Sequence, residues 1–136
     1  MARMVIDANV VLARLLGESA SQQVSAILDR SELVAPSLWR LEVLNTILVN
    51  ERRRSITRAE ADEMIELIDT MVIELVAEPA ERSALDLADF SRPHQLTTYD
   101  AVYVELASRL ALPLFSLDNN MITAARRLGV PVVSVT

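Results

Sequence analysis

The chain has 136 residues, 51% of them apolar, with only two glycines and five prolines, which fits one globular domain over residues 1–136 and argues against a disordered or linker-rich chain. It has no cysteine, so disulfide frameworks and thiolate metal sites are excluded; all 13 basic residues are arginine, so chemistry that needs a lysine is excluded; His94 is its single histidine, so a multi-histidine zinc site is excluded. The net charge of −6 is the wrong sign for generic nucleic-acid binding, but it suits a site that gathers carboxylates around divalent cations.

Residues 3–6, RMVI, predict a short buried strand, and VVLARLL a helix after it. SASQQVSAILDR predicts a second helix, capped by Ser19 or Ser21, with Val24, Ile27 and Leu28 on one stripe. ELVAPS is a short strand. SLWRLEVLNTILVNERRR is a strong helix, with Leu38, Leu41, Leu44, Ile47 and Leu48 recurring at helical spacing. In ITRAEADEMIELIDTM, Thr57 followed by Glu60 predicts a capping box. VIELVAE reads as a strand by its β-branched residues, and PAERSALDLADFSR as a helix with Pro79 in its first turn. TTYDAVYVELASRLA is another helix, with Tyr99, Tyr103, Leu106 and Leu110 on one apolar face. LPLFSL is an apolar strand, DNNMITAARRLG a helix ended by Gly129, and VPVVSV the last strand. Strands alternating with helices predict an α/β fold, a parallel sheet covered on both faces.

Four acids stand out by position: Asp7 after the first strand, Glu42 early in the helix after the second, Asp100 in the first turn of the TTYDAVY helix, and Asp118 after LPLFSL. Strand C-termini and helix N-termini share one edge of such a sheet, where ligands bind. Each acid also has a plainer explanation. Asp118 makes a good helix N-cap, Asp100 suits a helix dipole, Asp7 caps the helix that follows it, and Glu42 is a solvated helix residue. A shared metal site explains all four together. Carboxylates are the ligands that Mg²⁺ or Mn²⁺ prefers, and such a cation relieves their mutual repulsion.

VIDANVVLARLL, APSLWRLEVLNTIL, LTTYDAVYVELASRLALPLFSLDNN and LGVPVVSV together resemble the PIN-domain family of ribonucleases, and within it the VapC-type toxins of bacterial toxin–antitoxin pairs. TTYDAVYVELA followed by FSLD is the most specific stretch. The resemblance implies a PIN-like parallel five-stranded sheet in the order 3-2-1-4-5, with helices on both faces. It puts Asp7, Glu42, Asp100 and Asp118 in the family's four acidic positions, holding Mg²⁺ or Mn²⁺. Asn9 takes the small polar position that orients Asp7 by a hydrogen bond, and Ser116 the hydroxyl position two residues before the last acid. Some relatives carry a further acid where this chain has Asn119 and Asn120. The implied activity is metal-dependent hydrolysis of RNA leaving a 5′-phosphate, in a homodimer blocked by a cognate antitoxin.

Other candidates have plainer readings. Arg52, Arg53 and Arg54, with Arg14, Arg40, Arg126 and Arg127, are candidates to steer RNA phosphates, and the triplet also fits a solvated helix end. Trp39 and the two tyrosines are expected in the core or an interface, and His94 in a polar loop outside the chemistry. Apolar residues of helices 38–50 and 57–71 exceed what one face needs, which fits a dimer or antitoxin surface. Two other functions fit the acids: an aspartyl-phosphate phosphatase at Asp7, which lacks the lysine such sites use, and a noncatalytic binding module on the same fold. With no signal-peptide pattern and no stretch of the ~20 apolar residues a membrane span needs, the expected location is the cytoplasm.

Overall fold

A computed structural model describes residues 2–135. The elements run β1 (Ala2–Ile6), α1 (Ala8–Leu15), α2 (Ser21–Asp29), β2 (Ser31–Pro36), α3 (Leu38–Arg52), α4 (Arg58–Thr70), β3 (Ile73–Val76), α5 (Ala84–Ser91), a 3-10 turn (Arg92–His94), α6 (Thr98–Leu110), β4 (Leu114–Phe115) and α7 (Asn119–Arg127). The strands form one parallel sheet in the order β3-β2-β1-β4. In β1, Met4, Val5 and Ile6 are all buried. Successive strand residues point to opposite faces, so both faces of the central strand are covered. The helices fall into two packed groups, α1 to α4 and α5 to α7; α6 lies along β1, β2 and β4, and α2 along β2. The core gathers Ile6, Val10, Val34, Ile47, Tyr103, Leu106, Leu114 and Phe115.

The sheet has four strands among the described residues, where the sequence and the family resemblance led to five. The closing stretch does run beside β4. Leu114 N–H donates to Pro131 O and Val133 N–H to Leu114 O, both at 2.9 Å, yet the two segments share a single bridge, Leu114 with Val132. The cause is local. β4 is two residues long, and Pro131 has no N–H to extend the pairing.

Local signals decided most helix boundaries. The capping box forms: Glu60 N–H donates to Thr57 Oγ1 at 3.1 Å, and Thr57 N–H to Glu60 Oε1 at 2.9 Å. Gly129, at φ +73°, follows α7 and ends it. Three expectations are corrected. α2 starts after Ala20 with no side-chain cap from Ser19 or Ser21. α5 starts after Ser83, whose hydroxyl accepts from Asp86 N–H at 3.1 Å, so Pro79 lies before the helix and not in its first turn. The buried stripe of α3 is Trp39, Val43 and Ile47, and Leu41 is 69% exposed. The apolar residues of α3 are spread over more than one face, so two stripes compete and spacing alone does not choose between them.

Candidate functional site

Asp7 is the most constrained of the four acids. Its N–H donates to Phe115 O at 2.9 Å, which pins it where β1 and β4 end. Its side chain lies in the core at 6% exposure. Burying a carboxylate there is costly unless hydrogen bonds or a cation compensate. One compensation is visible: Ser116 Oγ–H donates to Asp7 Oδ2 at 2.8 Å, while Ser116 Oγ accepts from Asp118 N–H at 3.0 Å. A single hydroxyl thus joins the first acid to the backbone of the last.

Asn9 does not provide the hydrogen bond to Asp7 that the resemblance implied. Its Oδ1 accepts from Leu117 N–H at 3.1 Å, tying the first turn of α1 to the loop between β4 and α7. The bond to Asp7 comes from Ser116, which stands directly after β4 and faces the end of β1.

The remaining acids sit around the same end of the sheet. Asp118 is the N-cap of α7, its Oδ1 accepting from Asn120 N–H at 2.8 Å and Met121 N–H at 3.3 Å. Asp100 is in the first turn of α6, where Thr97 Oγ1 accepts its N–H at 3.1 Å. Glu42, half-buried on α3, accepts a 2.6 Å hydrogen bond from the Tyr103 hydroxyl on α6.

Sequence reasoning missed the role of Tyr103. It lies in the core, as read, but the phenol is aimed at Glu42. The available signal was a hydroxyl-bearing aromatic one helical turn after Asp100, because a buried phenol needs a partner. Tyr99, read on the same face, is 65% exposed and does not join the core.

The acids sense one another. Burial raises the Asp7 carboxyl to about 7, the Ser116 hydrogen bond and the Ala8 amide oppose the rise, and the charges of Asp100 and Glu42 add to it. Burial likewise raises Glu42, against the Tyr103 hydrogen bond and with the charge of Asp100. Asp100 is raised by burial and by the charge of Asp118. Burial and the hydrogen bond to Glu42 raise the Tyr103 phenol, which stays protonated and donates. Through these pairs all four carboxylates form one coupled group.

Among the described residues, no three His, Asp or Glu side chains are drawn together tightly enough to hold an ion as they stand. Glu42 is turned to Tyr103 and Asp118 to its own helix amides, each with a second carboxylate oxygen beyond the one so engaged. The donor set, all oxygen and anionic, is the chemistry that Mg²⁺ and Mn²⁺ favour.

The other candidates lie apart from this group. Trp39 is buried and offers no face to a base. Arg14 and Arg40 are in surface ion pairs with Asp29 and Asp69. Arg52, Arg53 and Arg54 are exposed at the end of α3. His94 closes the 3-10 turn, its ring centroid 5.9 Å from that of Phe90. No described helix is long and apolar enough to cross a membrane.

Comparison with known proteins agrees with this architecture. Residues 4–127 match the PIN domain. A ribonuclease, VapC3 of Pyrobaculum aerophilum, is 28% identical over 120 residues, covering 88% of this chain and 92% of the relative. In fold, the chain resembles PAE2754 from Pyrobaculum aerophilum, with a TM-score of 0.70, 17% identity and coverage of 97% of this chain and 84% of that one. It also resembles VapBC2 from Rickettsia felis, solved bound to a DNA fragment from their promoter, with a TM-score of 0.65, 9% identity and coverage of 96% and 97%. With nearly its whole length matched by one family and its strands in that family's parallel arrangement, this chain belongs to the PIN-domain family, where it is similar to the VapC type.

Proposed function

We propose that this protein is a divalent-cation-dependent endoribonuclease, the toxin of a toxin–antitoxin pair, in which Asp7, Glu42, Asp100 and Asp118 hold Mg²⁺ or Mn²⁺. The observation that carries this reading is Asp7, a carboxylate buried at the end of the central strand and coupled electrostatically to Glu42 and Asp100. Among the described residues the charges acting on it are those of other acids, and a bound cation would neutralise it. The similarity to the ribonuclease VapC3 supports RNA as the substrate. The VapC-type resemblance supports an antitoxin partner, a homodimer and a cytoplasmic setting.

The chain's residues divide the work. Asp7 gives a fixed anionic oxygen, held by the Ser116 hydroxyl; Glu42 gives a second, held by Tyr103. Asp100 and Asp118 complete the anionic rim at the starts of α6 and α7. A cation bound there supplies charge neutralisation for the phosphodiester and lowers the pKa of a water molecule. Hydrolysis joins the water oxygen to phosphorus as the P–O3′ bond breaks, leaving a 5′-phosphate and a 3′-hydroxyl. No lysine, cysteine or histidine is required, in keeping with a chain that has only one of these residues.

The test is incubation of the purified protein with a structured RNA in Mg²⁺ or Mn²⁺, with and without chelator, beside the variant Asp7→Asn. The expected result is cleavage that chelation and the substitution each abolish. Cleavage that persists through both overturns the mechanism.

A further inference from the structure

Seven of the 13 arginines are in ion pairs: Arg3, Arg14, Arg40, Arg58, Arg82, Arg92 and Arg109. Among the described residues, Arg30, Arg52, Arg53, Arg54, Arg126 and Arg127 have no such partner. Two helices join unpaired cations to one of the four acids: α3, with Glu42 and Arg52, and α7. The N-cap of α7 is Asp118, and Arg126 and Arg127 fill its last turn.

The two arginines line different cavities. Arg126 lines one of about 260 Å³ whose other walls are Ser116, Asn119 and Ser134 with five apolar residues, Leu117, Ile122, Val132, Val133 and Val135. Arg127 lines one of about 160 Å³ shared with His94, Gln95, Asn120, Thr123 and Ala124, where every lining residue but Ala124 has a polar side chain. His94 Nδ1 is removed from solvent and has no hydrogen-bond partner. A polar nitrogen so placed carries a cost, while the residue itself lines the cavity. Asn120 links this cavity to the acids, since its N–H donates to Asp118 Oδ1 at 2.8 Å.

We propose that the cavity between the 3-10 turn and α7 is a binding site for a backbone phosphate of the RNA, a neighbour of the phosphate that is cleaved. Arg127 supplies the charge, and His94, Gln95, Asn120 and Thr123 supply hydrogen-bonding groups. The inference rests on the nuclease reading above and deepens it. The acids repel a phosphodiester, so a strand entering this site needs cationic purchase beside them. The nine-residue step from Asp118 to Arg127 covers about 13 Å along the helix, which keeps that purchase on the same helix as the acid without neutralising it. A phosphate contact of this kind fixes the register of the strand and reads no sequence.

Because His94 is the chain's only histidine, its imidazole resonances report on this cavity alone. The experiment titrates ¹⁵N-labelled protein in Ca²⁺, which takes the same oxygen ligands as Mg²⁺, with an RNA of about eight nucleotides, within the usual span of a single-stranded site. Inorganic phosphate is titrated separately. Arg127→Gln is compared with Arg30→Gln, which removes the same charge from an exposed, unpaired arginine at the end of α2. The expected results are a shift of the His94 resonances on adding RNA and a weakening of RNA binding by about five- to tenfold in Arg127→Gln. The salt slope should fall by about 0.7 in that variant, the value for one phosphate contact to a single strand. Arg30→Gln should change affinity less than about twofold, and inorganic phosphate should act only at far higher concentration. RNA binding that leaves His94 unmoved, equal losses in the two variants, or a His94 response to inorganic phosphate but not to RNA would each overturn the site. Wild-type protein that cleaves RNA while His94 stays silent discards this cavity and keeps the nuclease. Protein that neither binds nor cleaves RNA discards both.

Discussion

β1 and β3 each present an acid, and the two acids have opposite fates. At the end of β1, Asp7 is buried, joined to Ser116 and raised to about 7. On β3, Glu74 is exposed and forms a surface ion pair with Arg3. The difference is position in the sheet. β1 is flanked by β2 and β4, whereas β3 is the outermost strand and has one neighbour among the described residues. A central parallel strand ends under helices, so an acid there is dried, and it meets other acids brought by the next loops. An edge strand leaves its acid in water, where an ion pair contributes about 0–1 kcal/mol. The same residue type is costly in one place and nearly neutral in the other.

The largest effect should come from breaking the central acid. Asp7→Asn should lower RNA cleavage by about three orders of magnitude, the scale of losing a group that positions and stabilises charge in the transition state. Glu74→Gln should leave cleavage within about twofold. Comparable losses in both would erase the contrast between centre and edge.

The pH dependence of stability sharpens the same contrast. Asp7 goes from 3.8 in the unfolded chain to about 7 when folded, so between those values the folded state binds more protons. Stability is then greatest below the lower value and falls as pH rises through the upper one. The gap corresponds to about 4 kcal/mol. In metal-free protein, urea unfolding of the wild type should therefore lose up to that much between pH 4 and 8 relative to Asp7→Asn. A difference between the two proteins that is flat with pH contradicts the assignment.

A smaller effect is expected one contact away. Tyr103→Phe keeps the buried ring and removes the hydrogen bond to Glu42, an interaction of about 1.5–3 kcal/mol when the acceptor is charged. Cleavage should fall about tenfold at limiting Mg²⁺ and recover in part as Mg²⁺ is raised, because Tyr103 positions Glu42 and does not itself bind the cation. A loss unaffected by Mg²⁺ would make Tyr103 a packing residue only. Smallest of all, Val72→Lys at the 91% exposed position before β3 should change stability by less than about 0.5 kcal/mol and leave cleavage intact.

Much of this arrangement was readable in the chain because it depends on local chemistry. Asp118 as an N-cap, the Thr57–Glu60 box and the placement of Asp7 after an apolar strand follow from adjacent residues. So does the parallel sheet, from strands alternating with helices. The parts that were not readable depend on residues distant in sequence. Ser116 reaches Asp7, and Tyr103 reaches Glu42, only after β1, β4, α3 and α6 have assembled. Asn9 binds the backbone of Leu117 for the same reason. Leu41 and Tyr99 looked buried because periodicity identifies an apolar stripe without saying which stripe meets the sheet. The fifth strand was lost to the shortness of β4 and to Pro131, a limit set by pairing partners and not by the β-branched residues of the last segment.

The most direct measurement is Mn²⁺ binding by calorimetric titration of the wild type, Asp7→Asn, Asp100→Asn and Glu74→Gln. The account predicts saturable binding by the wild type, at least about a tenfold loss of affinity in each of the two variants at the acid group, and no change in Glu74→Gln. Absence of binding by the wild type, or equal affinity in all four proteins, would contradict it.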